Sequence, residues 1–79
     1  MSTSAIRIEP RAVDVTVTDD VLRVRLADGR EVSVPLAWFP RLLRGSVEQR
    51  RHWSLIGGGV GIHWADLDED LSVAGLLAA

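Results

Sequence analysis

The residues of this 79-residue chain best suited to chemistry are four carboxylates near its C-terminus. They lie in the stretch "WADLDEDLSVAGLLAA", which begins at Trp64, and they are Asp66, Asp68, Glu69 and Asp70. Carboxylates this close together can bind a divalent metal ion, act in acid–base catalysis, steer a basic partner or form a solvated turn. The neighbouring residues decide among these four interpretations.

A metal site and a catalytic site have the weakest support. The acidic run lacks the ligand spacing and the position-12 glutamate of an EF-hand loop, and consecutive carboxylates cannot all face one ion. His52 and His63 have no third ligand at a fixed spacing, the chain has no cysteine, and its serines lack a nucleophile motif. The sequence therefore predicts no catalytic residue, metal site, cofactor or enzymatic activity.

The glycine-rich stretch "GGGVG", residues 57–61, does not indicate a phosphate-binding loop. No Lys-Ser/Thr pair follows it, and the G-x-G-x-x-G spacing before a helix is absent. Glycines tolerate backbone conformations that tight turns require. A hairpin turn is the prediction.

Two interpretations of the acidic run remain. In a helical turn Leu67 and Leu71 would share one face and the acids would point to solvent, capping a final helix from Val73 to Leu77 that begins after Ser72. Alternatively, the acids steer a basic partner while the leucines enter its groove. This predicted partner-binding strip comprises Trp64, Asp66, Leu67, Asp68, Glu69, Asp70, Leu71, Leu76 and Leu77.

Charge is unevenly distributed along the chain. All nine basic residues are arginines, the net charge is −2, and the segment from Ser54 onward has four acids and no arginine. Such a segment repels a phosphate backbone and attracts a basic protein surface. The alternative function is a regulatory nucleic-acid-binding module, acting as an oligomer or complex, although no helix-turn-helix is recognisable. Its candidate contacts are Arg41, Arg44, Arg50 and Arg51.

Three alternating segments predict an antiparallel meander in the N-terminal half. Val13, Val15 and Val17 are expected on the buried face of the first strand. The second strand is "VLRVRL", and the third is "EVSVPL". The Asp-Gly pair of "ADGR" between them favours a tight hairpin turn.

Two short helices and a second hairpin are expected after the meander. One helix is begun or interrupted at Pro40, and a second opens with a capping box formed by Ser46 and Gln49. The apolar segments 53–56 and 60–64 flank the glycines and predict a hairpin that completes the sheet. Four aromatic residues are expected in the core or at its edge: Trp38, Phe39, Trp53 and Trp64.

The sequence thus predicts an α+β fold: a three-stranded antiparallel meander, two short helices, a second β-hairpin and an acidic-to-apolar C-terminal tail. Residues 1–11 are expected to form an N-terminal arm and residues 12–79 one small domain. The chain has no cysteine, no signal-peptide pattern and no apolar run long enough to span a bilayer. A cytoplasmic protein without membrane association is expected.

Three stretches carry a resemblance to a known family. "DGREVSVPLAWFPRL", "SVEQRRHW" and "GIHWADLDEDLSVAGLL" resemble the bacterial domain-of-unknown-function family 2442 over residues 12–77. The resemblance implies a small α+β domain and a gene context in which the protein is antitoxin-like, beside a gene for a small toxin-like protein. It therefore implies a non-enzymatic domain that binds and neutralises a small basic protein from a neighbouring gene. Formation of a homodimer is a further expectation.

Overall fold

The computed structural model describes residues 10–78, so the predicted arm at 1–11 lies outside it except for Pro10 and Arg11. In chain order the elements are β1 (Ala12–Val17), β2 (Val21–Leu26), β3 (Glu31–Pro35), a first 3₁₀ turn (Leu36–Trp38), α1 (Pro40–Arg44), α2 (Val47–Arg51), β4 (Trp53–Ile56), β5 (Gly61–Trp64), a second 3₁₀ turn (Ala65–Leu67), β6 (Glu69–Ser72) and α3 (Val73–Ala78). The predicted α+β class is confirmed.

The first sheet is the predicted meander, with strand order β1-β2-β3 and antiparallel pairing throughout. Its strands alternate as expected, except at Val13. The register of β1 shifts between Ala12 and Asp14, so that Val13 is the extra residue of a β-bulge and its side chain is exposed. The prediction that Val13 faces the core is therefore wrong, whereas Val15 is buried and Val17 half-buried.

The turn between β2 and β3 has the chemistry that its Asp-Gly pair predicts. Gly29 has φ of +94°, a conformation that favours glycine. The Asp28 carboxylate accepts hydrogen bonds from the Arg30 backbone N–H at 3.0 Å and from Arg30 Nε at 2.8 Å. The backbone hydrogen bond is the main cause that lowers the pKa of Asp28 below its ordinary value.

The two short helices begin where the sequence predicts. Pro40 is the first residue of α1, where its missing N–H costs no hydrogen bond. The capping box of α2 is complete, since Ser46 Oγ accepts from Gln49 N at 3.1 Å and Gln49 Oε1 accepts from Ser46 N at 2.9 Å. Together these signals fix the path of the chain between the two sheets.

The second hairpin is present, but it does not complete the first sheet. Instead β4 and β5 form a separate antiparallel sheet with β6, in the order β4-β5-β6. The acidic run, expected to be a turn, supplies both the second 3₁₀ turn and β6. The glycine turn joins the two sheets, because Ala12 N of β1 donates to Gly59 O at 2.7 Å. The same turn also holds α3, since Val73 N donates to Val60 O at 3.0 Å.

Both sheets contribute to one hydrophobic core. Its buried residues are Ala12, Val15, Leu22, Val24, Leu26, Val34, Leu36, Leu42, Ile62, Trp64, Val73 and Leu76. Phe39 and Trp53 lie at its edge as expected, but Trp38 is 53% exposed because the first 3₁₀ turn directs it outward. Within residues 10–78, no helix is long and apolar enough to cross a membrane.

Candidate partner-binding site

The predicted partner-binding strip is divided between the core and the surface. Trp64 lies in β5, is 0% exposed, and donates from Nε1 to the Arg50 carbonyl oxygen at 3.0 Å. A partner cannot reach this side chain in the folded domain. We therefore correct the assignment of Trp64, which is a core residue that fixes α2 against the second sheet.

The leucines of the strip differ in how much surface they present. Leu67 and Leu71 are half-buried and pack against the core, Leu76 is buried within it, and Leu77 is exposed. The cross-strand partner of Leu71 is Ile62, a fully buried residue of β5, which explains why Leu71 faces inward. Three of the four leucines therefore stabilise the hydrophobic core, and among them only Leu77 is exposed to solvent.

Asp66 is held by a histidine. His52, at the end of α2, lies with Nδ1 at 2.9 Å from Asp66 Oδ2 and with Nε2 at 3.2 Å from Glu48 Oε2. The hydrogen bond with Asp66 is the main cause that raises the pKa of His52 above its ordinary value, with Glu48 adding to it. His52 thus links α2 to the second 3₁₀ turn.

Two further acids contact basic side chains. The carboxylate of Asp68 lies 3.9 Å from Arg41 Nη1, which also donates to the Asp68 carbonyl oxygen. Asp70 contacts His63, its cross-strand neighbour in β5, through His63 Nδ1. These acids remain exposed, the Asp68 side chain at 97%, so the contacts lie at the surface. Glu69 is half-buried and faces Trp64 across the strand pair.

A groove of about 250 Å³ runs beside the strip, between the first 3₁₀ turn, β6 and α3. We call it the Trp38 groove; it is lined by Trp38, Phe39, Asp70, Leu71, Ser72, Gly75 and Leu76. Ser72 Oγ accepts from Gly75 N at 2.9 Å and so fixes the start of α3, which brings Leu76 to the groove. Three residues of the predicted strip thus meet two aromatic residues from a distant part of the chain.

Sequence reasoning missed Trp38 and Phe39 as members of this site. They fall in "LAWFP", where no regular period tells which side chain faces outward. The available signal was local. Trp38 and Phe39 directly precede Pro40, which begins a helix of five residues, too short to bury both aromatic side chains. The pairing of this segment with β6 and α3 is tertiary.

The structure removes one of the four predicted nucleic-acid contacts from the surface. Arg50 is only 7% exposed, and its guanidinium donates to Leu42 O at 2.8 Å, to Leu43 O at 2.8 Å and to Asp19 Oδ1 at 3.1 Å. The assignment of Arg50 as a contact is therefore corrected to a structural role. Among the remaining three, only Arg44 and Arg51 lack a hydrogen bond or ion pair to residues 10–78. In the same part of the chain no group of three or more acidic or histidine side chains is placed to hold a metal ion.

Comparisons with known proteins agree in fold and are silent on activity. A family model described as "Protein of unknown function (DUF2442)" matches residues 12–79. A crystal structure of a protein of unknown function from Rhodospirillum rubrum is 33% identical, with a TM-score of 0.75 over 90% of this chain and 88% of that chain. A solution structure of an uncharacterized protein from Chromobacterium violaceum is 26% identical, with a TM-score of 0.72 over 86% of this chain and 64% of that chain. No curated protein matches.

Proposed function

This chain belongs to the DUF2442 family, and from that premise we propose that it is a non-enzymatic domain which binds a small basic protein at the Trp38 groove. The observation that carries the proposal is the juxtaposition of the exposed Trp38 ring with the acidic β6 at one groove. Tryptophan is among the side chains most enriched in protein-binding hot spots.

Trp38 supplies the apolar part of the surface. Its ring is exposed and lines the groove together with the less accessible Leu71 and Leu76. Tryptophan buries a large area on contact at a low cost in side-chain entropy, so an exposed one beside a concave apolar surface favours protein binding. A single apolar side chain of the partner fits a groove of about 250 Å³.

The acids determine the sign of the partner's charge. Asp68 and Asp70 are already contacted by Arg41 and His63, but both contacts are at the surface. Exposed ion pairs contribute little to stability, so a partner's lysine or arginine can replace the internal partners at small cost. The acids therefore favour a basic partner and raise its association rate.

The family resemblance suggests which protein the partner is. A protein of antitoxin-like gene context binds the small product of the neighbouring gene and neutralises it in the cytoplasm. The Trp38 groove and the acidic strip would then be the surface that covers the partner. In this proposal Asp66, Asp68, Asp70 and Leu77 are the strip residues that touch the partner, together with the groove-facing sides of Leu71 and Leu76.

The test is co-expression with the product of the adjacent gene, followed by a pull-down and a growth assay of that gene alone and with this one. We expect a stable complex and rescued growth. Replacement of Trp38 by alanine should weaken the complex by at least about tenfold, the effect of losing one hot-spot side chain. Val13→Ala is the matched control, since Val13 is also exposed and apolar but lies in neither groove.

Absence of a complex and of toxicity would contradict the proposal, and so would a folded Trp38→Ala variant that binds and rescues as well as the wild type. If an Arg44→Ala, Arg51→Ala double variant lost binding to DNA fragments with a steep salt dependence, the nucleic-acid alternative would replace it.

A further inference from the structure

A second groove lies at the opposite edge of the second sheet. It has a volume of about 300 Å³ and lies between β1, α2 and β4. We call it the Arg51 groove; its lining residues are Val15, Thr16, Val17, Val47, Arg50, Arg51 and Trp53. None of them lines the Trp38 groove, which adjoins β6, so the two grooves are separate surfaces.

Arg51 carries the available charge of this groove. The neighbouring Arg50 is buried, and its guanidinium is committed to two carbonyl oxygens and to Asp19. Arg51 is exposed and makes no hydrogen bond or ion pair with residues 10–78. The groove therefore presents one guanidinium that is available to a ligand, a group with a fixed fork of donors suited to carboxylates.

Besides the two arginines and Thr16, the side chains that line the groove are apolar. Val47 is 57% exposed although it is a β-branched aliphatic residue, and Trp53 is half-buried at the edge of the core. Val15 and Val17 continue the apolar surface from β1. An arginine next to a half-buried tryptophan and the exposed Val47 is an arrangement that fits a ligand with both a negative and an apolar group.

The element that carries Arg51 is rigidly held. The capping box of Ser46 and Gln49 fixes the start of α2, and Arg50 binds α1 through its side chain. The Arg50 carbonyl oxygen in turn accepts the hydrogen bond from Trp64. Because the backbone on both sides of Arg50 is fixed, the groove exists before a ligand arrives, and binding requires little ordering.

We propose that the Arg51 groove binds an acidic segment of a protein, in which a carboxylate stands beside a large apolar side chain. The carboxylate accepts two hydrogen bonds from the Arg51 guanidinium, and the apolar side chain packs against Val47 and Trp53. This site differs in place and in charge from the Trp38 groove, so it does not depend on the function proposed above. A nucleic acid fits less well, because affinity for a phosphate backbone requires several cations and this groove offers one.

The experiment is an NMR titration of the full chain, labelled with ¹⁵N, using two acetylated hexapeptides that differ only in a central Leu-Glu or Leu-Gln pair. We expect the Leu-Glu peptide to shift the amide signals of α2 and β4 and the indole N–H of Trp53. The Leu-Gln peptide should bind at least about fivefold more weakly, the loss of a charge-assisted bidentate contact.

Two exposed arginines that form no ion pair with the described residues 10–78 make a matched pair of variants. Arg51→Ala should weaken Leu-Glu binding by about tenfold, while Arg44→Ala, on α1 and outside the groove, should leave it unchanged. Equal binding of the two peptides, or equal effects of the two variants, would overturn the proposal. A single-stranded oligonucleotide that shifts the same signals more strongly than the peptide would also overturn it. The same shifts on raising protein concentration without peptide would assign the groove to a second copy instead.

Discussion

Arg50 shows how far one residue can depart from its expected role. An arginine next to another arginine is expected to be exposed at the surface. Arg50 instead is buried, and its guanidinium joins α2 to α1 and to the β1–β2 turn. Its burial follows from the position of Leu42 and Leu43, whose carbonyl oxygens need donors at the end of a short helix. No periodicity within α2 could have indicated this, because the acceptors belong to another element.

Replacing Arg50 should destabilise the domain. Arg50→Met keeps the apolar stem but leaves the Leu43 carbonyl oxygen without its donor and the Leu42 carbonyl oxygen with only the Gly45 N–H, so the free energy of unfolding should fall by about 1–3 kcal/mol. Urea unfolding measures this change. Arg44→Met is the control and should change it by less than about 0.5 kcal/mol. Similar changes in the free energy of unfolding for the two variants would show that the Arg50 hydrogen bonds make no net contribution to stability.

His52 makes the stability of the domain depend on pH. Its folded-state pKa is raised above the ordinary value of 6.5, chiefly by Asp66, so the fold favours the protonated ring. The stabilisation is therefore complete below the unfolded pKa of about 6.5 and is lost as pH rises through the folded pKa. His52→Gln should accordingly cost more stability at about pH 5.5 than at about pH 8.5.

An NMR titration of the His52 ring separates this linkage from general acid effects. The wild-type ring should titrate above 6.5, and Asp66→Asn should bring the pKa back toward that value. A His52 pKa that does not respond to Asp66→Asn would contradict the assigned cause.

At the scale of elements, local patterns predicted what local chemistry determines. The start of α2, the turn between β2 and β3 and the strand β2 are each specified by residues within that segment: the capping box, the Asp-Gly pair and the alternating pattern. The strand β6 was missed because Glu69 and Asp70 disfavour strands, and only pairing with β5 makes this segment extended. The separation into two sheets and the outward Val13 likewise depend on contacts between distant segments, whereas the burial of Trp64 agrees with its expected position in the core.

The glycine turn between β4 and β5 holds the two sheets together through one close approach. Gly59 has φ of +112°, and a Cβ placed there would lie 2.5 Å from the Ala12 carbonyl oxygen. Gly29 also has a positive φ, but a Cβ there would meet nothing within 4 Å. The two positions share the conformational requirement and differ in the space around them.

Gly59→Ala should therefore cost more than Gly29→Ala. Both variants bear the strain of a positive φ, and the first must in addition displace β1, so we expect its loss in unfolding free energy to exceed the second by about 1–3 kcal/mol. Chemical denaturation of the two variants tests the difference. Equal losses would mean that the close approach of Gly59 to Ala12 does not constrain the sheets.

For the molecule as a whole, the shared core implies that the sheets cannot unfold separately. Leu22 and Val24 of the first sheet and Ile62 and Trp64 of the second belong to one buried cluster. Opening either sheet would expose the apolar face of the other. Because a chain of 79 residues has only a small core, this exposure would remove most of the apolar burial that stabilises the fold.

Unfolding should accordingly be a single transition. Far-UV circular dichroism in urea should give one midpoint with a slope of roughly 1 kcal/mol/M, and amide exchange at Leu22 and Ile62 should report the same opening free energy. Exchange at Ile62 that is much faster than at Leu22 would show instead that the second sheet opens on its own.

The three tryptophans stand in three different surroundings, with Trp64 fully enclosed, Trp53 half-buried and Trp38 53% exposed. Indole emission moves to longer wavelength in water, and a quencher such as acrylamide reaches only rings that solvent can touch. Trp38 therefore dominates the quenchable, red-shifted part of the emission and Trp64 the protected part. Since Trp38 lies in one groove and Trp53 in the other, the protein carries an intrinsic optical probe at each. Single Trp→Phe variants would read the occupancy of each surface without any added label.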